Sequence, residues 1–185
     1  MVRRKLGGVV IECTRGNIAN QPDVDAVVNA ANAQLRTGSG VAGAIHGAAG
    51  PGLESECRAF APIRPGQAVI TGAHGLPNRY VIHCLGPVYG RDEPAAELLA
   101  ACYRNALRLA ARENVSSLAF PAISTGAFGY PIEEAAEVAV TAVVESVLAD
   151  TTKVVDLIRF VVFDAYAERV FREALERLVP QSPSS

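Results

Sequence analysis

Residues 37–50 read TGSGVAGAIHGAAG. Gly38, Gly40 and Gly43 form a G-x-G-x-x-G pattern, and the residues from 41 to 48 read as the helix that it feeds. A nicotinamide-binding turn needs its first glycine directly after a strand. It also needs an acidic residue closing the next strand about 20 residues on. Here the preceding strand, 26–28 (AVV), is separated from Gly38 by the nine residues 29–37. Beyond the loop, RAFAPIRPG contains no strand ending in Asp or Glu, and a chain with 16 glycines meets this spacing easily. The stretch is therefore not a dehydrogenase fingerprint.

What the glycines do offer is a cradle for an anion. With no Cβ at 38 and 40, backbone N–H groups can approach a phosphate closely. The helix that follows aims its N-terminal N–H groups and its dipole at the same place. A tight loop that merely needs positive φ is the alternative for this segment taken alone. A second loop, PAISTGAFGYP (121–131), follows the strand 117–120 (SLAF) and precedes a helix over 132–149. Ser124, Thr125, Gly126 and Gly129 bring hydroxyls and free N–H groups to another helix start. Two such loops can clamp one diphosphate from both sides, which points to a nucleotide diphosphate ligand. In NAAN, Asn29 and Asn32 leave a strand end with amides suited to ribose hydroxyls. Asn29 reads more as a brace for the loop and Asn32 as a direct contact.

The rest of the chain alternates strands with helices. Strands are expected at 8–13, 67–71, 80–84 and 157–163, and helices at 51–60, 94–112 and 166–178. Pro51 suits an early helix position. Leu98, Leu99, Cys102, Tyr103, Ala106, Leu109 and Ala110 give the helix 94–112 its apolar face, and Val140, Val143, Val144 and Val147 do so for 132–149. One domain over 1–180 and a disordered tail at 181–185 follow from the length and the PQSPSS ending. The alternation implies an α/β sheet with helices on both faces. Ligands in such folds lie beyond the carboxyl ends of the strands, so the loops after Cys13, Val28 and Phe120 are where a site is expected.

Half of the 185 residues are apolar, 19% are charged, and the net charge is −2. Nothing in that balance favours a nucleic-acid polymer or an anionic membrane. The start MVRRKLGG is followed by no apolar signal region, and no apolar run approaches the ~18 residues of a membrane span. Cys13, Cys57, Cys84 and Cys102 form no C-x-x-C and read as buried free thiols, which places the protein in a reducing cytoplasm. His46, His74 and His83 show no metal spacing, so neither metal nor cofactor is expected.

VVNAAN, GSGVAGAIHGAAG, LPNRYVIHCLGPVY and LAFPAISTGAFGYP, in that order, resemble the macrodomain family, most closely its MacroD-type branch, and the similarity runs from about residue 8 to 178. The resemblance implies a three-layer α/β/α fold with a central, mostly parallel six-stranded sheet. It implies binding of ADP-ribose or ADP-ribosylated proteins, and hydrolysis of ADP-ribose from protein carboxylates or of O-acetyl-ADP-ribose. By the same resemblance Asn17 reads the adenine amino group with Ile18 beside it, and Phe163 packs on the adenine ring. Gly38, Ser39, Gly40, Val41 and Ala42, with Ser124, Thr125, Gly126, Ala127 and Phe128, wrap the diphosphate and distal ribose. Asn32 holds the distal ribose, Phe128 closes over it, and Asn32 and Gly40 are the candidate catalytic positions. On sequence grounds alone Phe128 and Phe163 read as well as core aromatics.

Two departures from the family pattern matter. Asn17 stands where the family usually has Asp, which replaces a charge-assisted contact to adenine with a neutral one. Ala42 stands where efficient MacroD-type hydrolases carry Asp, a residue able to position or activate water. His46, one turn further along the same helix, reads as a packing residue. Turnover by a phosphate-held water attacking the anomeric carbon and binding with little turnover are both left standing. Ser124 lies in no G-x-S-x-G elbow and is not a covalent nucleophile.

Overall fold

The computed structural model describes residues 1–181. In chain order the elements are β1 (Val2–Leu6), β2 (Val9–Arg15), β3 (Ala26–Ala30), α1 (Gly40–Ala49), α2 (Pro51–Cys57), β4 (Ala68–Gly72), β5 (Tyr80–Cys84), α3 (Ala95–Arg112), β6 (Ser117–Phe120), α4 (Ile132–Ala149), β7 (Leu157–Val162) and α5 (Ala165–Leu178). The strands form one sheet in the order β1-β2-β7-β6-β3-β5-β4. Its centre, β2 to β5, is parallel, and β1 and β4 add antiparallel edges. The sheet thus has seven strands rather than the expected six.

The additional strand is β1, VRRKL. Its residues alternate between half-buried and exposed, with Arg3 and Lys5 outward. Charges on an edge strand discourage pairing with other chains. The same charges make the segment read as a basic start rather than a strand.

Period-two alternation along the central strands sorts side chains between two layers. Val9, Ile11, Cys13, Ala26, Val28, Leu118, Phe120, Ile158 and Phe160 pack with the inner faces of α3, α4 and α5. Val27, Val81, Ala119 and Val161 pack on the opposite face with Ile45 and Ala49 of α1 and Leu53 and Cys57 of α2. Burial on both faces explains why β3 reads as an unbroken apolar run. All four cysteines are buried and free. Burial pushes the Cys13 thiol up to about 12 and that of Cys57 to about 11.

Three boundaries differ from the sequence reading by two residues or more. Strand β2 continues to Arg15 rather than ending at residue 13, because Thr14 and Arg15 pair with Val161 and Val162 of β7. Helix α2 stops at Cys57 rather than continuing to residue 60; Pro62 disfavours helical conformation at residue 61, so the helix has little room to continue. Strand β3 runs two residues past Val28, because Asn29 and Ala30 pair with His83 and Cys84 of β5. The tail expected to be disordered lies, from residue 182, outside the described residues. Among the described residues no helix is long and apolar enough to cross a membrane.

Candidate functional site

Because the five central strands are parallel, their carboxyl ends share one edge of the sheet. There the loops after β2, β3, β5, β6 and β7 enclose a cleft in two connected halves. The smaller, of about 300 Å³, lies between residues 38–42 of the first glycine loop and 122–128 of the second, with Asn32 and Gly86 in its wall. The larger, of about 720 Å³, extends to Asn17, Ile18 and Phe163. Gly40, Val41, Ala122 and Gly126 border both halves, so the two meet where the glycine loops face each other.

The first loop is shaped by three glycines with three different tasks. Gly40 has φ 59°, a left-handed backbone, and begins α1. A Cβ on Gly43 would lie 2.6 Å from the Gly38 carbonyl oxygen, so only glycine lets the helix pass that close to the loop. Gly38 approaches the Asn32 amide. Ser39 is the N-cap residue of α1, but its side chain makes no capping bond, which leaves the first N–H groups of the helix open to the cleft.

The second loop supplies a matching array. Ser124 holds φ 68°, uncommon for a residue with a Cβ. Thr125 N–H donates to the Ala122 carbonyl and Tyr130 N–H to that of Ser124, folding the loop on itself. Among the described residues, the N–H groups of Gly126, Ala127 and Phe128 find no backbone acceptor. The loop seats against Gly86, where a Cβ would stand 2.1 Å from Ser124 Oγ and 2.6 Å from Ile123 Cγ2. Gly86 was not picked out from the sequence; its signal is a glycine directly after the β5 strand end, in HCLGP.

Of the residues singled out in the sequence, the cleft gathers Asn17, Ile18, Asn32, Gly38, Ser39, Gly40, Val41, Ala42, Ser124, Thr125, Gly126, Ala127, Phe128 and Phe163. It does not gather Asn29. Strand alternation places Asn29 on the same sheet face as Val27, fully buried under α1 and α2, where its Nδ2 lies 3.1 Å from His83 Nδ1. His83 Nε2 in turn lies 2.9 Å from Thr71 Oγ1, and Thr71 donates onward to the Gly72 carbonyl. That chain assigns the imidazole proton to Nε2. Burial holds His83 far down, to about 3, so it is neutral at ordinary pH. His46 is also buried, its ring centroid 6.3 Å from that of His83, and burial lowers its pKa too. It lies beneath the cleft and does not line it.

Asn32 is half-buried, and its amide ties the loop: Nδ2 donates to the Arg36 carbonyl at 2.8 Å and Oδ1 accepts Arg36 N–H at 3.0 Å. One amide proton and one oxygen lone pair remain for a ligand. Phe128 is half-buried, whereas Phe163 is 90% exposed at the mouth of the larger half, which rules out a core role for it. Among the described residues, no Lys or Arg lines either half and no cluster of three metal-ligating side chains occurs.

A cleft without cationic side chains at the carboxyl ends of a parallel sheet, walled by two open N–H arrays and ended by an exposed aromatic ring beside Asp164, defines a nucleotide-diphosphate-binding α/β domain. The Macro domain family matches residues 28–139. A macro domain-containing protein of Streptomyces griseus is 45% identical over 172 residues, covering 90% of this chain and 94% of that one. A Klebsiella pneumoniae protein named O-acetyl-ADP-ribose deacetylase is 49% identical over 160 residues, 83% of this chain and 89% of its own. Among solved structures, the Oceanobacillus iheyensis macrodomain with ADP superposes with a TM-score of 0.91 at 35% identity, covering 96% of each chain. The Trypanosoma brucei macrodomain in complex with ADP-ribose gives 0.82 at 34% identity, covering 89% of this chain and 68% of that one. The chain belongs to the macro domain family.

Proposed function

We propose that the protein binds ADP-ribose along this cleft and hydrolyses ADP-ribose esters, either O-acetyl-ADP-ribose or ADP-ribose joined to a protein Glu or Asp. The observation that carries the reading is the junction of the two halves. There the open N–H groups of α1 and of residues 126–128 face one another across a space bordered by Gly40 and Gly126. A diphosphate seated there directs the base toward Phe163 and the distal ribose toward Asn32 and Phe128. The named relative and the ADP-ribose complex of a neighbour are consistent with that ligand.

No side chain at position 42 can act as a base, so the water must be held by the ligand's own phosphate, beside Gly40. Asn32 orients the distal ribose. For a protein ester the water attacks the anomeric carbon, the carboxylate leaves with the bonding electrons, and the water's proton passes to the phosphate and then to solvent. For the O-acetyl ester the same water attacks the acetyl carbonyl, the tetrahedral intermediate breaks its bond to the ribose oxygen, and the water's proton passes by way of the phosphate to that oxygen, leaving acetate and ADP-ribose. Positioning and fixed N–H dipoles supply the rate enhancement.

Ala42 favours a second reading, a module that recognises ADP-ribose with little turnover. Its methyl is buried in the wall of the smaller half and offers nothing to a water molecule. A single-turnover assay on a glutamate-ADP-ribosylated protein and on O-acetyl-ADP-ribose separates the two. Release by the wild type that is lost in Asn32→Ala supports the enzyme. No release by the wild type, with gain of activity in Ala42→Asp, supports the module. Absence of ADP-ribose binding overturns both.

A further inference from the structure

We propose that Asn17 sets the base specificity of the cleft, so that a 6-oxopurine nucleoside diphosphate sugar is accepted at least as well as its 6-aminopurine counterpart. The inference rests on the cleft's holding a nucleoside diphosphate sugar as described above.

Asn17 lines the larger half, two residues beyond the end of β2. Its Oδ1 accepts the backbone N–H of Ala19 at 2.9 Å. Turning the amide over would set NH₂ against an N–H donor, so the orientation is fixed by chemistry. The turn itself is anchored from below: Gln21 Nε2 donates to the Asn17 carbonyl at 2.9 Å, and Arg159 Nη1 donates to Gln21 Oε1 at 3.0 Å. Arg159 is in turn gripped by Glu12 and Asp23, with contacts of 2.7 Å to each. The amide group left over at the cleft is Nδ2, which among the described residues has no partner.

An NH₂ pair is a donor. Adenine presents its own donor at position 6, whereas hypoxanthine and guanine present an acceptor oxygen there. Two of the other three polar side chains along this half are engaged elsewhere, and the third, Asp164, is engaged through one of its two oxygens. Thr125 Oγ1 donates to the Ala122 carbonyl, Tyr166 Oη donates to Glu133, and Asp164 Oδ1 accepts the Ala167 N–H at its own helix start. Aspartate at position 17 would keep the bond from Ala19 with one oxygen and turn the other, an acceptor, to the base. That substitution therefore reverses the demand without disturbing the turn.

The test is calorimetric titration of ADP-ribose and of inosine-diphosphate-ribose into the wild type and Asn17→Asp. The wild type is expected to bind the hypoxanthine ligand as tightly as the adenine ligand, or more tightly. Asn17→Asp is expected to move the ratio of the two affinities toward adenine by about tenfold, the scale of one exchanged hydrogen bond to a charged group. A wild type that prefers adenine tenfold overturns the inference, as does a ratio that the substitution leaves unmoved while both ligands still bind. Failure of both ligands to bind either protein overturns the ADP-ribose reading itself, and this inference with it.

Discussion

Replacing Gly86 by alanine tests whether the second glycine loop is held from beneath. The new methyl carbon would stand 2.1 Å from Ser124 Oγ, 3.3 Å from Ser124 Cβ and 2.6 Å from Ile123 Cγ2. Carbon atoms sit comfortably at about 3.5–4.0 Å, so both neighbours must retreat by about 1 Å. Ser124 Oγ has no hydrogen bond to lose and can rotate away. Ile123 cannot: it is 1% exposed and packs in the core cluster that holds Tyr103 and Phe120. Overpacking of this kind costs about 1–3 kcal/mol, which for a domain of this size lowers Tm by roughly 2–4 °C per kcal/mol. The same displacement moves the N–H groups of residues 126–128 off the diphosphate, so affinity for ADP-ribose is expected to fall about tenfold or more. Urea denaturation and calorimetric titration measure the two effects on one preparation. In a double-mutant cycle, adding Ser124→Gly removes one of the two clashes and should return part of the lost stability. Wild-type stability and affinity in Gly86→Ala would refute the argument, and strict additivity of the pair would refute its attribution to Ser124.

Three other outcomes follow from the site and its support. With Asp164 the one charged side chain among the described residues of the cleft wall and no Lys or Arg beside it, ADP-ribose affinity should not fall by more than about twofold between 50 and 500 mM salt, since screening weakens attraction between charges and not hydrogen bonds from N–H groups; a steep fall in titrations would mean that a cation reaches the ligand. Phe163→Ala should leave stability within about 0.5 kcal/mol of wild type, because the ring is 90% exposed, yet weaken ADP-ribose by about tenfold through lost stacking; equal affinity would remove the base from this end. His83 is held at about 3 in the folded protein against 6.5 when free. The unfolded chain therefore binds the extra proton between those values, stability is fully present above pH 6.5, and it drains as pH falls toward 3. Urea titration at pH 5 should give about 2 kcal/mol less stability than at pH 7.5, and His83→Gln should flatten that slope even if it lowers the plateau.

Much of this arrangement is legible in the sequence because two periodicities and two punctuated loops carry it. The parallel strands read as apolar runs and the loops as glycine clusters directly before helices, so the two glycine loops are legible, whereas wall residues such as Ala30, Ala31, Ile132, Asp164 and Tyr166 carry no such signal. What escaped did so for local reasons. VRRKL alternates charge with apolar residues, a pattern shared by an edge strand and a basic start, and only its pairing with β2 distinguishes them. Asn29 carries the right side chain beside the right loop, but its orientation depends on strand register, which pairing with β5 sets. Gly86 looked like any glycine after a strand; its importance comes from a contact with residues almost forty positions away. The free amide nitrogen of Asn17 follows from a bond to Ala19 that residue identity alone does not reveal.

The middle of the cleft presents main chain to a ligand, and the polar and aromatic side chains stand chiefly at its two ends. This makes the domain a handle with exchangeable tips. On the proposed reading, altering Asn17 or Phe163 is expected to change which base is welcomed, and altering Ala42 what happens at the far sugar, while the loops between them keep their shape as long as Gly40, Gly43 and Gly86 stay without side chains. On that reading such a scaffold would exchange one ligand for another, or recognition for catalysis, by single substitutions that never touch its hold on the diphosphate.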